Sequence, residues 1–351
     1  MPKRLIMCCD GTWNTAEQSW PTNVTRIRDA LKKDDAGTKQ CAFYHEGVGV
    51  KPWERLRGGA FGFGLSGNVK HTYRFIVEHF EPGDELFFFG FSRGAFTARS
   101  TAGLIYNVGI LRPEHAHRLD EAYALYRSRG APPSSPEAQS FRNSYSHPDE
   151  TRRIRFIGVW DTVGALGIPL SPARWANFIN RRWQFHNCEL NKAVEAAFQA
   201  LAIDEKRAPF KPAVWVQKAD TSGQRVEQVW FTGVHCDVGG GYERRAFADI
   251  TLHWMVDRAQ SCGLAFEASK LGANVLNLTA QHLKEQPHDS LTWFYKLLRP
   301  FVRQIGKIEA LQQDDPTQSV ASTAVDWHKS HSAYPQPNLV AYLDGHRQTQ
   351  V

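Results

Sequence analysis

The sequence predicts an α/β fold with a mostly parallel central sheet, helices on both faces of that sheet, and helical or loop insertions that cap it. Three observations predict it. Short, largely apolar runs such as Arg4–Cys9, Leu86–Phe89 and Arg153–Trp160 recur along the chain and read as strands buried on both sides. Segments with apolar residues at helical spacing lie between them. Several runs stop at small or polar residues, and the carboxyl ends of the strands are where ligands bind in open sheets of this class.

Arg4–Cys9 is the first strand and leads into the turn Asp10-Gly11-Thr12-Trp13-Asn14. Thr22 or Asn23 caps a helix over 23–33 that has Val24, Ile27 and Leu31 on one face. Cys41–His45 is a second strand. A glycine- and aromatic-rich loop over about 50–67 follows, containing Gly62-Phe-Gly64-Leu-Ser-Gly67. This matches G-x-G-x-x-G, but its glycines do not directly follow a strand and Asp84 precedes the next strand, so the dinucleotide reading fails. A helix over 67–80 comes next.

The stretch that organises the chain is Glu85 to Arg99. Leu86–Phe89 is too short and too aromatic for a helix, and Gly90-Phe91-Ser92-Arg93-Gly94 then fits the G-x-S-x-G elbow between a buried strand and a helix running to Asn107. Small residues two positions either side of the serine let the backbone turn sharply. The Arg93 amide falls at a helix N-terminus, where it can stabilise an oxyanion.

A polar, tyrosine-rich helix over 114–129 and the breaker Pro132-Pro-Ser-Ser-Pro136 mark residues 112–150 as an insertion on the sheet. Arg153–Trp160 is a core strand ending at Asp161-Thr-Val-Gly164. Residues 169–182 and 187–202 read as helical, making 165–200 a further cap-like insertion. Val214–Lys218 and Glu227–Val234 are strands, the second ending in His235-Cys-Asp237-Val-Gly-Gly-Gly-Tyr242, and Ala248–Ala259 is a helix. The catalytic domain is expected to span 1–265. Residues 266–351 read as a helical extension and polar tail packed on the same domain. The chain has no internal repeat.

With 351 residues, 21 Phe and 11 Trp, the chain has ample material for a core. The net charge of +6 is spread along the sequence and is compatible with transient contact with an anionic membrane surface. Zinc-finger and RNP motifs and long Lys/Arg runs are missing, which argues against nucleic acid. Cys8, Cys9, Cys41, Cys188, Cys236 and Cys262 are scattered without a C-x-x-C pair and read as free thiols in a reducing compartment. The expectation is synthesis in the cytoplasm without a cleavable signal or membrane span, with export by a signal-less route left open. The residues name no partner protein.

Three strands thus end in Ser92, Asp161 and His235. Parallel strands present their carboxyl ends on one edge, so these side chains can converge although they are far apart in sequence. In this order, Ser92 is the nucleophile, His235 the base and then acid, and Asp161 the residue that orients the imidazole. Oxyanion donors are expected from the backbone of Arg93 and of Gly11 or Thr12. No metal or cofactor is required. Each residue has a plainer reading: Asp161 as a turn cap, His235 as a hydrogen-bonded core histidine, and Asp237 as a turn or supporting group instead of a rival acid. Two other functions compete. One is a metal-dependent phosphoesterase using Asp10, Asp161 and His235. The other is a catalytically silent binding module.

Four motifs carry a resemblance: Cys9-Asp10-Gly11-Thr12-Trp13-Asn14, Gly90 to Arg99, Gly158-Val-Trp-Asp-Thr-Val163, and Gly233 to Tyr242. Over residues 3–260 the chain resembles the DUF2235 family of α/β-hydrolases, to which the type VI secretion phospholipase effectors of the Tle1 type belong. The resemblance implies lipase, phospholipase or esterase activity on an ester or phospholipid substrate through Ser92, Asp161 and His235, with Asp10 in a supporting place. The family often carries His-Ala-Leu-Ala before Asp-Glu-x-Arg. This chain has Gln199-Ala-Leu-Ala-Ile-Asp204-Glu-Lys-Arg207, which implies a supporting place for Gln199. Trp53, Phe61, Phe63, Trp175 and Phe178 suggest an apolar lid for an acyl chain.

Overall fold

A strand with no polar face is stable only when both its faces are covered, and the architecture meets that condition. The computed structural model describes residues 2–11, 14–15, 18–47, 61–128, 130–164, 189–217, 223–279, 282–291, 300–308 and 313–345. Within these, the strands are β1 (Arg4–Cys9), β2 (Asp34–Asp35), β3 (Thr38–His45), β4 (Glu85–Phe91), β5 (Ile154–Trp160), β6 (Ala196–Ala202) and β7 (Arg225–Phe231), then a small separate pair, β8 (Lys307–Ile308) and β9 (Gln313–Asp314), and finally β10 (Gln318–Val320). The main sheet has the order β10-β7-β6-β5-β4-β1-β3-β2. All neighbours in it are parallel except β2 against β3. This is the predicted α/β-hydrolase-like sheet.

Among the described residues, the α-helices of five or more residues are α1 (Asn23–Ala30), α2 (Phe61–His79), α3 (Arg93–Val108), α4 (Leu119–Arg127), α5 (Pro136–Tyr145), α6 (His235–Gly239), α7 (Ala246–Ser261), α8 (Ser322–Ser330) and α9 (Pro337–Gly345). Alternate residues of each central strand feed opposite layers. Phe87, Phe89 and Phe91 of β4 join Ile6, Phe156, Trp160 and Phe198 under α1 and α7. Leu86 and Phe88 join Leu5, Met7 and Ile157 under α2 and α3. The apolar run in β4 therefore has a use for every side chain.

Several elements differ from their sequence reading. Residues 187–202 read as a helix, but 196–202 form β6, the strand between β5 and β7. Its alanines favour a helix locally, yet all seven residues are buried and a ladder on either side outweighs that propensity. Of the strand expected at 214–218, the described residues 214–217 show a bridge between Glu189 and Val216. The Gln228 side chain takes the place of a neighbouring strand there, accepting from Trp215 N at 2.7 Å and donating to Trp215 O at 3.0 Å.

The glycine-rich residues 61–67 open α2 instead of belonging to a loop, because Leu65, Val69, Tyr73 and Ile76 make one buried stripe. The 132–136 breaker starts α5, with the Ser135 hydroxyl accepting from Ala138 N at 3.1 Å. The region after 266 holds helices such as α8 and α9, as expected, but it also adds β10 to the sheet and packs Ile305, Val320, Ala324 and Leu339 against Leu201 and Trp230. The proposed lid residues Trp53, Trp175 and Phe178, and the helix at 169–182, lie outside the described residues.

Candidate active site

Ser92 stands at the corner between β4 and α3 with φ 57° and ψ −121°. A residue with a side chain held there costs about 1–3 kcal/mol and needs its surroundings to impose the geometry. The glycines of the elbow allow that imposition. A Cβ at Gly90 would lie 2.7 Å from Ala95 N, and one at Gly94 would overlap the Cys9 and Asp10 carbonyl oxygens. Gly11 packs on the serine itself, where a Cβ would sit 3.2 Å from Ser92 Cβ. The Ser92 N–H donates to Trp160 O at 3.0 Å, which ties the elbow to the residue just before Asp161.

Asp161 follows β5 in a second positive-φ conformation, φ 40°. Its Oδ2 is 2.5 Å from His235 Nδ1, and its Oδ1 accepts from Ala202 N at 3.1 Å. Arg303 closes the far side: Nη1 donates to Oδ1 at 2.6 Å and Nη2 to Oδ2 at 3.0 Å, with both side chains fully buried. Burial alone would raise the Asp161 carboxyl. The Arg303 charge and the His235 contact outweigh burial and hold it well below the usual carboxylate range.

His235 is the first residue of α6, and its imidazole lies between the ring of Phe91 (centroids 4.6 Å apart) and the edge-on ring of Phe210 (4.9 Å). Burial pushes its pKa below the ordinary histidine value, against the pull of Asp161, so the ring is neutral at pH 7. A carboxylate at Nδ1 fixes the ring proton there and leaves Nε2 as the base.

Asp161 and His235 are therefore joined directly, while Ser92 meets them through the Trp160 carbonyl and the Phe91 ring. Among the described residues, Ser92 Oγ makes no hydrogen bond to His235. Of the expected oxyanion donors, the Arg93 N–H is the first of α3, and Thr12 lies outside the described residues. The Gly11 N–H is committed elsewhere, donating to Asp10 Oδ1 at 2.7 Å, so Gly11 is set aside as a donor.

Asp10 is buried, and its Oδ2 accepts from the hydroxyls of Thr22 at 2.7 Å, Tyr44 at 2.8 Å and Thr25 at 3.0 Å. It anchors the β1 turn. This corrects the metal reading: Asp10 is saturated by hydroxyl and amide donors, and a guanidinium across both Asp161 oxygens would repel a dication. Among the described residues, no three His, Cys, Asp or Glu side chains are arranged to hold a metal ion. Asp237 turns away from the His235 ring, accepting from Val234 N at 3.0 Å and pairing with His288 Nδ1 at 2.5 Å. Gln199 accepts from the hydroxyl of Thr162, next to Asp161, and donates to Gln228 Oε1 at 3.1 Å.

The model of the family described as type VI secretion system phospholipase effector Tle1-like, catalytic domain, matches residues 3–258. The chain belongs to this Tle1-like family. It is 28% identical over 231 residues to the uncharacterized protein YEL023C of Saccharomyces cerevisiae, a match covering 60% of this chain and 32% of that protein. The chain thus spans about a third of that relative's length. Among solved structures, a Tle1 effector bound to the VgrG spike of the type 6 secretion system aligns over 85% of this chain and 83% of its own, at 15% identity and TM-score 0.44. An uncharacterized protein from Pseudomonas aeruginosa aligns over 82% and 51%, at 16% identity and TM-score 0.45.

This Tle1-like domain has site residues that reading the sequence missed. Glu205 is buried and receives His235 N–H at 3.3 Å, Ser290 Oγ at 3.1 Å, and Arg207 through Nε and Nη2 at 2.8 Å each. The Arg207 guanidinium in turn covers Phe210 at 3.6 Å from its centroid. Asp204 accepts from Gly233 N at 2.6 Å and from Gln336 Nε2, bracing the turn before His235. The Asp204-Glu-Lys-Arg207 string was visible as a motif, but its role was not. Arg303 lies in no motif and beyond the family match, so nothing in its local sequence marked it.

Proposed function

We propose that this chain is a serine carboxyl-ester hydrolase of the phospholipase type, with Ser92 as nucleophile, His235 as general base and acid, and Asp161 as the orienting carboxylate. One observation carries the reading: a serine held at positive φ by a glycine elbow, on the strand next to a buried carboxylate bonded to an imidazole. A structural serine has no need of that conformation.

In the proposed reaction, Ser92 Oγ attacks the ester carbonyl carbon while His235 Nε2 takes its proton. The oxyanion is met by the Arg93 N–H and the α3 N-terminus, with Thr12 as the second donor. Collapse of the tetrahedral species expels the alcohol, which takes the proton from His235, and leaves an acyl-serine. Water, deprotonated by His235, then attacks the acyl carbon. The acid is released and Ser92 is protonated again. Substrate binding draws Ser92 Oγ and His235 together, since such catalytic hydrogen bonds tighten in the substrate complex. The family description supports a lipid ester as substrate, and the net charge of +6 suits transient contact with an anionic bilayer surface. Among the described residues, no helix is long and apolar enough to cross a membrane.

The test is hydrolysis of a p-nitrophenyl ester chain-length series and of phospholipid vesicles by wild type and Ser92→Ala. Loss of a triad nucleophile costs on the order of 10³-fold or more. Equal activity in the two proteins overturns the assignment of Ser92. Inertness of both, with no fluorophosphonate labelling of wild type, returns the chain to the binding-module reading.

A further inference from the structure

The Arg303 fork does more than neutralise a buried carboxylate. Its Nη1 also donates to Ala202 O at 2.8 Å, and its Nη2 to Phe210 O at 2.5 Å. One side chain therefore ties together the end of β6, the turn whose Phe210 ring edges His235, and both oxygens of the acid that holds His235. A single ammonium contact would balance the charge. Two parallel N–H donors also fix the plane of the carboxylate, and with it the oxygen presented to His235 Nδ1. Asp161 needs such an over-determined setting, because its backbone is itself held at positive φ.

We propose that Arg303 is a positioning residue for the Asp161–His235 pair: its fork fixes the carboxylate's orientation and offsets its charge, so that His235 is presented to Ser92 as a neutral base. The proposal rests on the serine-hydrolase reading above. It places part of the catalytic machinery in the segment beyond residue 258, where the family match ends. The charged groups facing His235 are Asp161, with Arg303 behind it, and Glu205 and Arg207 from the segment after β6; Asp237, on its own helix, is turned to His288. Of these cations, Arg207 acts on the imidazole itself, while Arg303 acts through Asp161, because it is bonded to both oxygens of that carboxylate. Without Arg303 the imidazolium is favoured, and the base is lost at a higher pH.

The experiment is the rate of fluorophosphonate labelling as a function of pH for wild type, Arg303→Gln and Arg303→Lys, with folding followed by circular dichroism and thermal melting. Wild type should be labelled at Ser92 with an acid limb below the ordinary histidine pKa. Arg303→Gln should be labelled about 10²-fold more slowly, the cost of a misplaced catalytic group, and its acid limb should move up by about one pH unit. Arg303→Lys keeps the charge but only one point of contact. It should lose about tenfold in rate with a smaller shift of the limb. If Arg303→Gln does not fold, the lysine variant decides. Wild-type rate and acid limb in the folded lysine variant overturn the proposal, as does a slower rate in folded variants whose acid limb has not moved, since that marks a merely structural role. Unlabelled wild type, or labelling that survives Ser92→Ala, is a different failure: it removes the hydrolase reading and this proposal with it.

Discussion

Replacing Ser92 by glycine and by alanine separates the strain of the elbow from its chemistry. Both variants lack Oγ, so both should be inactive, and they differ only in what they do to the backbone. Glycine normally destabilises relative to alanine by about 0.5–1 kcal/mol through the entropy of the unfolded chain. At φ 57°, ψ −121° the native backbone costs an alanine about 1–3 kcal/mol that a glycine does not bear. The Ser92 hydroxyl makes no capping bond to α3, so neither variant loses a helix cap. The balance favours Ser92→Gly over Ser92→Ala by about 1 kcal/mol at mid-range (about 0–2.5), opposite to the ordinary order. Urea unfolding midpoints of the two inactive proteins, with equal slopes, measure it. An alanine variant as stable as the glycine variant would refute the idea that the fold holds strain at this residue.

Asp161→Asn should lower ester turnover by about 10⁴-fold, because the amide no longer fixes the imidazole tautomer. It should also cost about 3–5 kcal/mol in denaturant unfolding, since the Arg303 guanidinium is left buried without its counter-charge. Gly94→Ala places a methyl on the Cys9 and Asp10 carbonyls, and soluble yield and melting temperature should show a loss at or beyond the top of the about 1–3 kcal/mol range for overpacking. Asp204 is pushed up to about 6 by burial, against the bonds from Gly233 and Gln336. Its folded-state value lies above its unfolded one, so the folded form holds the extra proton and stability falls as pH rises from about 4 to about 6. Asp204→Asn should flatten that part of the stability–pH curve.

The local sequence was enough to read the elbow and the strands around it. Those features are written in short windows: a run such as Leu86–Phe89 has no polar face to expose, and Gly90 and Gly94 are needed wherever the backbone turns that tightly. The same windows misread β6, because Ala196–Ala202 is a helix former whose burial between two strands comes from partners 40 positions earlier and 29 positions later in sequence. They also misread 61–67, whose glycines suggested a loop while Leu65 and its partners on the core supplied the helix. The site shows the same division. Asp161 and His235 end runs that can be read one by one, but their 2.5 Å contact spans β6 and depends on the sheet order. Arg303, 142 residues after Asp161, meets it only because the chain beyond α7 returns to add β10 at the sheet edge. The sequence by itself determined where the chain can turn and which short runs must be buried. Tertiary structure alone decided which buried charges face each other, because the energy of a buried ion pair depends on distance in space and leaves no pattern along the chain.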